Sequence, residues 1–208
     1  MTQALDMLMA APAILFGLTV HEFSHALVAD RLGDPTARSL GRLTLNPLKH
    51  LDFIGTLALF FFRFGWAKPV PIDPRNFRHP TRDMALSSLA GPAANLLIAV
   101  VAGLVLRVLT ASGVGGFFAE LATYFVLFNL ILCFFNLIPI PPLDGSRFVS
   151  YLLPAELAAG YARLEQFGFM ILIGVIMVGS LTGVPILWMA IGPLVRATSW
   201  LIVGYPVV

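Results

Sequence analysis

The sequence predicts an all-α polytopic membrane protein, with about four or five transmembrane helices and a short re-entrant or hairpin element between the first two. Three observations carry this prediction. Of the 208 residues, 58% are hydrophobic and 12% charged, with mean hydropathy +0.88, a composition far from that of soluble domains. Uncharged windows such as Met84–Leu106 and Leu121–Leu143 reach the roughly 20 apolar residues that a bilayer crossing takes. The breaks between windows fall at Gly- and Pro-bearing turns, so residues 1–208 read as one helical domain, with a core over about 5–150 and C-terminal helices over about 160–206.

The first helix is expected from about Leu5 to Leu32. "RLGDP" closes it, because Gly33 suits a left-handed C-cap and Pro35 bars continuation. Its start lacks a basic region and no small-residue cleavage site follows, so the segment is expected to be mature chain rather than a signal peptide. The apolar stretch "FIGTLALFFFRFGW", Phe53–Trp66, is short for a helical span and reads as re-entrant or interfacial, with crossing and dipping both open. In "AKPVPIDPRNFR", Ala67–Arg78, prolines at 69, 71 and 74 forbid a regular helix and favour extended, hairpin-like backbone. Such backbone at membrane depth must be shielded by protein or line a cavity.

Two clearer spans are expected at about Met84–Leu109 and Phe117–Ile138, separated by the "TASGVGG" turn. "IPIPPLDGSR" then interrupts helical order before a short helix ending near "LLP". The uncharged region Gln166–Val195 reads as two helices joined at Gly179–Pro185, with Arg196, Trp200 and Tyr205 anchoring the tail at the interface.

Nine of the 13 lysines and arginines lie between Arg31 and Arg82, whereas the turn from Thr110 to Gly116 has none. The positive-inside rule therefore puts the region after the first helix in the cytoplasm, the "TASGVGG" turn outside, and "PPLDGSR" back on the cytoplasmic side of a cell membrane. A net charge of +2, without a basic stripe, gives no basis for a nucleic-acid partner. The single cysteine, Cys133, cannot form an internal disulfide and reads as a small core residue.

Against this apolar background "LTVHEFSHAL", Leu18–Leu27, places two histidines and a glutamate inside a span, at a cost of about 2.5–3.5 kcal/mol for a central charge. His21 and His25 are four residues apart and share a helical face, with Glu22 beside the first. This H-E-x-x-H spacing lets two imidazoles bind one zinc while the carboxylate handles the metal's water. Histidines satisfied by hydrogen bonds are the plain alternative, but they leave Glu22 without a partner. His21 lies ten residues before Arg31, roughly 15 Å inside the cytoplasmic boundary at about 1.5 Å per residue.

A catalytic zinc keeps three protein ligands and an open position, so a third ligand is needed. Asp34, Asp52, Asp73, Asp83, Glu120, Glu156 and Glu165 mostly lie in polar loops or at span ends, where solvation accounts for them. Asp144 follows the proline-broken apolar segment "NLIPIPPL" on the inferred cytoplasmic side and can approach the metal on irregular backbone. Its competing account is an N-cap for the helix starting near Gly145.

"HEFSH", "GWAKPVPIDPRNFR", "LAGPAAN" and "FNLIPIPPLDGSR", in this order, cover most of Val20–Arg147. Together they closely resemble the site-2 protease family of intramembrane zinc metalloproteases, in particular its short prokaryotic members without PDZ or CBS modules. The resemblance implies one Zn2+ per chain held by His21, His25 and Asp144, with Glu22 as general base. It places Asn136 near the active site and gives Asn95 a role in positioning the substrate or the core helices, for which a helix–helix hydrogen bond is the alternative. It also implies that the hairpin containing Pro69, Val70 and Pro71 receives substrate as an added strand, against the alternative of a structural loop. The expected activity is hydrolysis of transmembrane proteins or peptides within the lipid bilayer, through a site opening to the cytoplasm. A zinc-binding transporter and an inactive homologue that binds membrane segments are the rival readings. The sequence leaves the oligomeric state open.

Overall fold

The computed structural model describes residues 3–55, 57 and 65–208, with side chains from Leu8 onward. Among these residues there is no strand, and five helices are long and apolar enough to cross a membrane. The chain is thus a multi-pass helical membrane protein. Most of the expected re-entrant piece, Phe53–Phe64, lies outside the described residues.

Helix α1 spans Gln3–Leu32, and Gly33 follows it at φ 114°, the left-handed conformation foreseen at the "RLGDP" stop. The chain then makes one helical turn at Thr36–Ser39 and a 3-10 turn at Pro47–Lys49. Past the undescribed residues it returns as a loop without regular structure, tied to the earlier loop by an isolated antiparallel bridge between Leu51 and Ala67. Helix α2, Pro80–Ala111, and helix α3, Phe117–Asn136, are the two clear spans. The short α4, Asp144–Leu152, follows the proline-broken loop, and α5, Ala155–Ala162, adds a helix that the sequence reading did not foresee.

Helices α6, Gly168–Thr182, and α7, Ile186–Val203, flank the anticipated break, with Gly183 at φ 71° ending α6. Arg196 and Trp200 lie within α7, because nothing from Val195 to Val203 breaks the helix, and the stop comes at Gly204 in a left-handed C-cap.

Lipid removes most of the hydrophobic driving force between helices, so close backbone approach must hold the bundle together. Helix α2 packs against α1, α3, α4 and α7. Ala99, Leu106, Val126, Leu130 and Val195 form a fully buried seam between α2, α3 and α7. At Gly103 a Cβ would collide with Ile202, so only glycine lets α7 lie this close. The outward faces carry exposed Leu97, Val101, Leu104, Val105, Val108 and Phe118, a lipid-facing surface.

Candidate metal centre

The H-E-x-x-H turn of α1 meets the middle of α2 and the first residue of α4. His21 Nε2 and His25 Nε2 lie 3.0 Å apart, and Asp144 Oδ2 is 3.1 Å from the first and 3.2 Å from the second. Both histidines are buried, and Oδ2, buried as well, has no hydrogen-bond donor among the described residues. The imidazoles stand nearly perpendicular, at 84°.

What stands behind each ring decides which atoms point forward. His21 Nδ1 lies 2.6 Å from Asn95 Oδ1, and His25 Nδ1 lies 2.7 Å from the Ser87 carbonyl. Both oxygens only accept, so each Nδ1 carries the proton and each neutral ring turns an Nε2 lone pair toward Asp144. Three acceptor atoms at mutual distances of 3.0–3.2 Å repel one another unless a cation lies among them. Zinc ligands about 2.0–2.1 Å from the ion at tetrahedral angles sit roughly 3.3 Å apart, close to this triangle. The donor set therefore fits a zinc ion.

The competing account of Asp144 fails on geometry. It is the first residue of α4, the N-cap position belongs to Leu143, and no side chain caps the helix. Its carboxylate is thereby free for the histidines. Glu22 is also buried, and its Oε2 accepts the Val70 backbone N–H at 2.8 Å. The proline-rich segment thus touches the motif glutamate directly.

A cavity of about 420 Å³ opens onto this cluster. His21, Glu22, His25, Asp144 and Asn136 line it together with Pro69 and Val70. Asn136 lies at its wall, its Nδ2 donating to the Leu132 carbonyl. Pro71 is not among the lining residues. Asn95 is completely buried behind His21, where its Nδ2 donates to the Gly17 carbonyl and to Asn129, so it faces a ring and two helices rather than the cavity.

Several relevant groups escaped sequence reasoning. Gly91 leaves room for both rings, since a Cβ there would lie within contact distance of His25 Nε2 and 2.7 Å from His21 Nδ1. The Ser87 carbonyl carries no side-chain signal at all. Asp34, read from its loop position as solvated, is fully buried and accepts hydrogen bonds from Thr36, from Asn76 Nδ2 at 2.8 Å and from the Asp73 backbone N–H at 2.8 Å. Burial would raise its pKa, but these donors outweigh it and hold the carboxyl below the usual range. Asp83, likewise read as solvated, is buried and paired with Arg82 at 2.8 Å.

Comparison with known proteins bears on the same residues. A protein of Bacillus subtilis (strain 168) named "Putative zinc metalloprotease YwhC" is 40% identical over 164 residues, which cover 76% of this chain and 75% of that one. The chain belongs to peptidase family M50. The sequence model of that family matches residues 108–179 of this M50 chain, a stretch containing Asn136 and Asp144. "Putative zinc metalloprotease Rip2" of Mycolicibacterium smegmatis is 32% identical over 163 residues, 76% of this chain and 62% of its own. Rip2 of Mycobacterium tuberculosis (strain ATCC 25618 / H37Rv) is 30% identical over 173 residues, 81% of this chain and 66% of its own. No solved structure matches. The expected family and enzyme class, a zinc metalloprotease of the site-2 type, both stand for this M50 member.

Proposed function

We propose that the protein is a zinc-dependent intramembrane endopeptidase that hydrolyses peptide bonds in or near transmembrane segments of membrane proteins at the cell membrane. The observation that carries this reading is the convergence of His21 Nε2, His25 Nε2 and Asp144 Oδ2 within 3.0–3.2 Å, inside a membrane-spanning bundle and beside a buried glutamate.

His21, His25 and Asp144 would hold the metal. When bound, zinc supplies Lewis acidity, polarising a carbonyl and lowering the pKa of a water from about 15.7 toward 7. Glu22 accepts a proton from the attacking water and passes it to the departing amine, work worth typically 10²–10⁴-fold in rate. The Val70 N–H fixes one oxygen of that carboxylate at 2.8 Å, which keeps Glu22 aimed from a backbone that cannot shift like a side chain. Asn136, on the cavity wall, supplies a polar contact to the substrate backbone.

A helical substrate hides its carbonyls in its own hydrogen bonds and must be unwound before attack. A non-helical Pro69–Ile72 segment beside the cavity supports the strand-addition role of the hairpin. Its free donors are few, however. Pro69 and Pro71 have no N–H, Lys68 donates to the His50 carbonyl, Val70 to Glu22 and Asp73 to Asp34. The Lys68 and Pro69 carbonyls already accept from Arg42 Nη2, so substrate pairing along this segment falls mainly to the carbonyls from Val70 to Ile72 and to the Ile72 N–H.

The deciding experiment purifies the full chain and Glu22→Gln, measures zinc content, and incubates both with transmembrane peptides in detergent and in lipid. Both should carry one zinc, and only the unaltered chain should cleave. Absence of cleavage by the unaltered chain under every condition would favour the transporter or inactive-homologue reading, and equal cleavage by Glu22→Gln would remove Glu22 as the base. Asp144→Ala should lose zinc; unchanged occupancy would remove Asp144 as a ligand.

A further inference from the structure

A second asparagine stands behind the one that touches His21. Asn129 of α3 is fully buried, its Oδ1 accepts from Asn95 Nδ2 at 2.9 Å, and its Nδ2 donates to the Phe125 carbonyl at 2.9 Å. Asn95 Nδ2 also donates to the Gly17 carbonyl at 3.1 Å. Gly17 makes this approach feasible, since a Cβ there would lie 2.7 Å from Asn129 Oδ1.

We propose that Asn129 is a positioning residue for the metal centre, acting through Asn95 to hold His21 in its Nδ1–H tautomer. The inference rests on the reading of His21 as a zinc ligand. A carboxamide has one donor end and one acceptor end, so its orientation is set by whatever partners cannot change role. The Phe125 carbonyl can only accept, which turns the NH2 of Asn129 toward it and leaves Oδ1 facing Asn95. Two fixed acceptors, Asn129 Oδ1 and the Gly17 carbonyl, then claim both protons of the Asn95 NH2. The remaining end of Asn95 is its oxygen, which faces His21 Nδ1 and binds that proton. His21 Nε2 is left as a lone pair toward His25 and Asp144. The relay runs from α3 through α2 to α1 and uses every polar atom of both amides.

Without Asn129 the Asn95 amide loses one of the two acceptors that define its orientation. Its flipped form, with NH2 toward His21, favours the opposite tautomer, in which Nε2 carries the proton and cannot ligate. Outer-shell partners of metal-bound histidines are worth about 10- to 100-fold in metal affinity, and a residue one step further out should fall near the lower bound.

The test uses the full chain in detergent with zinc alone, measuring Kd by chelator competition, and reads the His21 tautomer in the metal-free protein by 15N NMR. Asn129→Leu, nearly isosteric, should weaken zinc about tenfold and convert His21 from Nδ1–H to a mixture. Asn129→Asp, which when protonated keeps both an acceptor and a donor, should restore most of the affinity. Leu130→Ala, a neighbouring buried change in the apolar seam with Ala99 and Val195, should lower thermal stability and leave both readouts alone. Zinc affinity within twofold of the unaltered chain, with an unchanged tautomer, in Asn129→Leu overturns the proposal. So do effects that Leu130→Ala reproduces. His21→Ala separates the two levels: if it leaves zinc affinity intact, the ligand assignment fails and the tautomer measurement alone decides whether Asn129 positions the ring.

Discussion

Gly91 shows how little space the two imidazoles have. Alanine favours a helix over glycine by about 1 kcal/mol, so propensity alone predicts that Gly91→Ala stabilises α2. The added methyl would nevertheless press on His25 Nε2 and on the His21 ring. The expected outcome is a chain with unchanged helical content by circular dichroism and zinc affinity lower by about 10- to 100-fold, read by chelator competition. Unchanged affinity would mean that α2 can shift away from the rings. His21, Glu22 and His25 were legible in the sequence because a polar triplet inside an apolar span demands an account, and four-residue spacing supplies one. Gly91 and the Ser87 carbonyl were not, since space and backbone direction have no side-chain signature. Asn95 was named, but its place behind His21 depends on which face of α2 meets α1.

At the scale of elements, Asp34 joins the end of α1 to the proline-rich segment that carries Val70. Its folded pKa is depressed, so the stabilisation is fully present above the unfolded value near 3.9 and is lost as pH falls through the lower folded value. Protection of the proline-rich segment in hydrogen exchange should therefore be flat across neutral pH and decline only below about pH 4. Asp34→Asn keeps an oxygen for Thr36 and Asn76 but sets its NH2 against the Asp73 backbone N–H. It should raise exchange over residues 70–77 at neutral pH and reduce kcat/KM about tenfold, with zinc affinity intact, because this segment contacts Glu22 but none of the three candidate ligands. Zinc loss in that variant would place Asp34 closer to the metal chemistry than its contacts indicate. The prolines and glycines made most element ends readable.

For the whole molecule, the inferred orientation puts the loop around Ser39 in the cytoplasm and the turn around Ser112 outside. Both serines are exposed, and the one native cysteine, Cys133, is buried. An impermeant maleimide applied to intact cells should label Ser112→Cys at once and Ser39→Cys only after permeabilisation; the reverse pattern would turn the cavity toward the other compartment. By itself the sequence determined that the chain lives in lipid, where most of its helices begin and end, and which two histidines are spaced to share a metal. Those properties follow from hydropathy, turn chemistry and local spacing, all encoded over short stretches of chain. Only the tertiary structure decided that Asp144 meets the histidines rather than capping α4, that Val70 holds Glu22, and that Asn129 backs Asn95. Each is a contact between segments at least 34 residues apart, fixed by how α1, α2, α3 and α4 pack, and packing registers across such distances leave no periodic trace in one sequence.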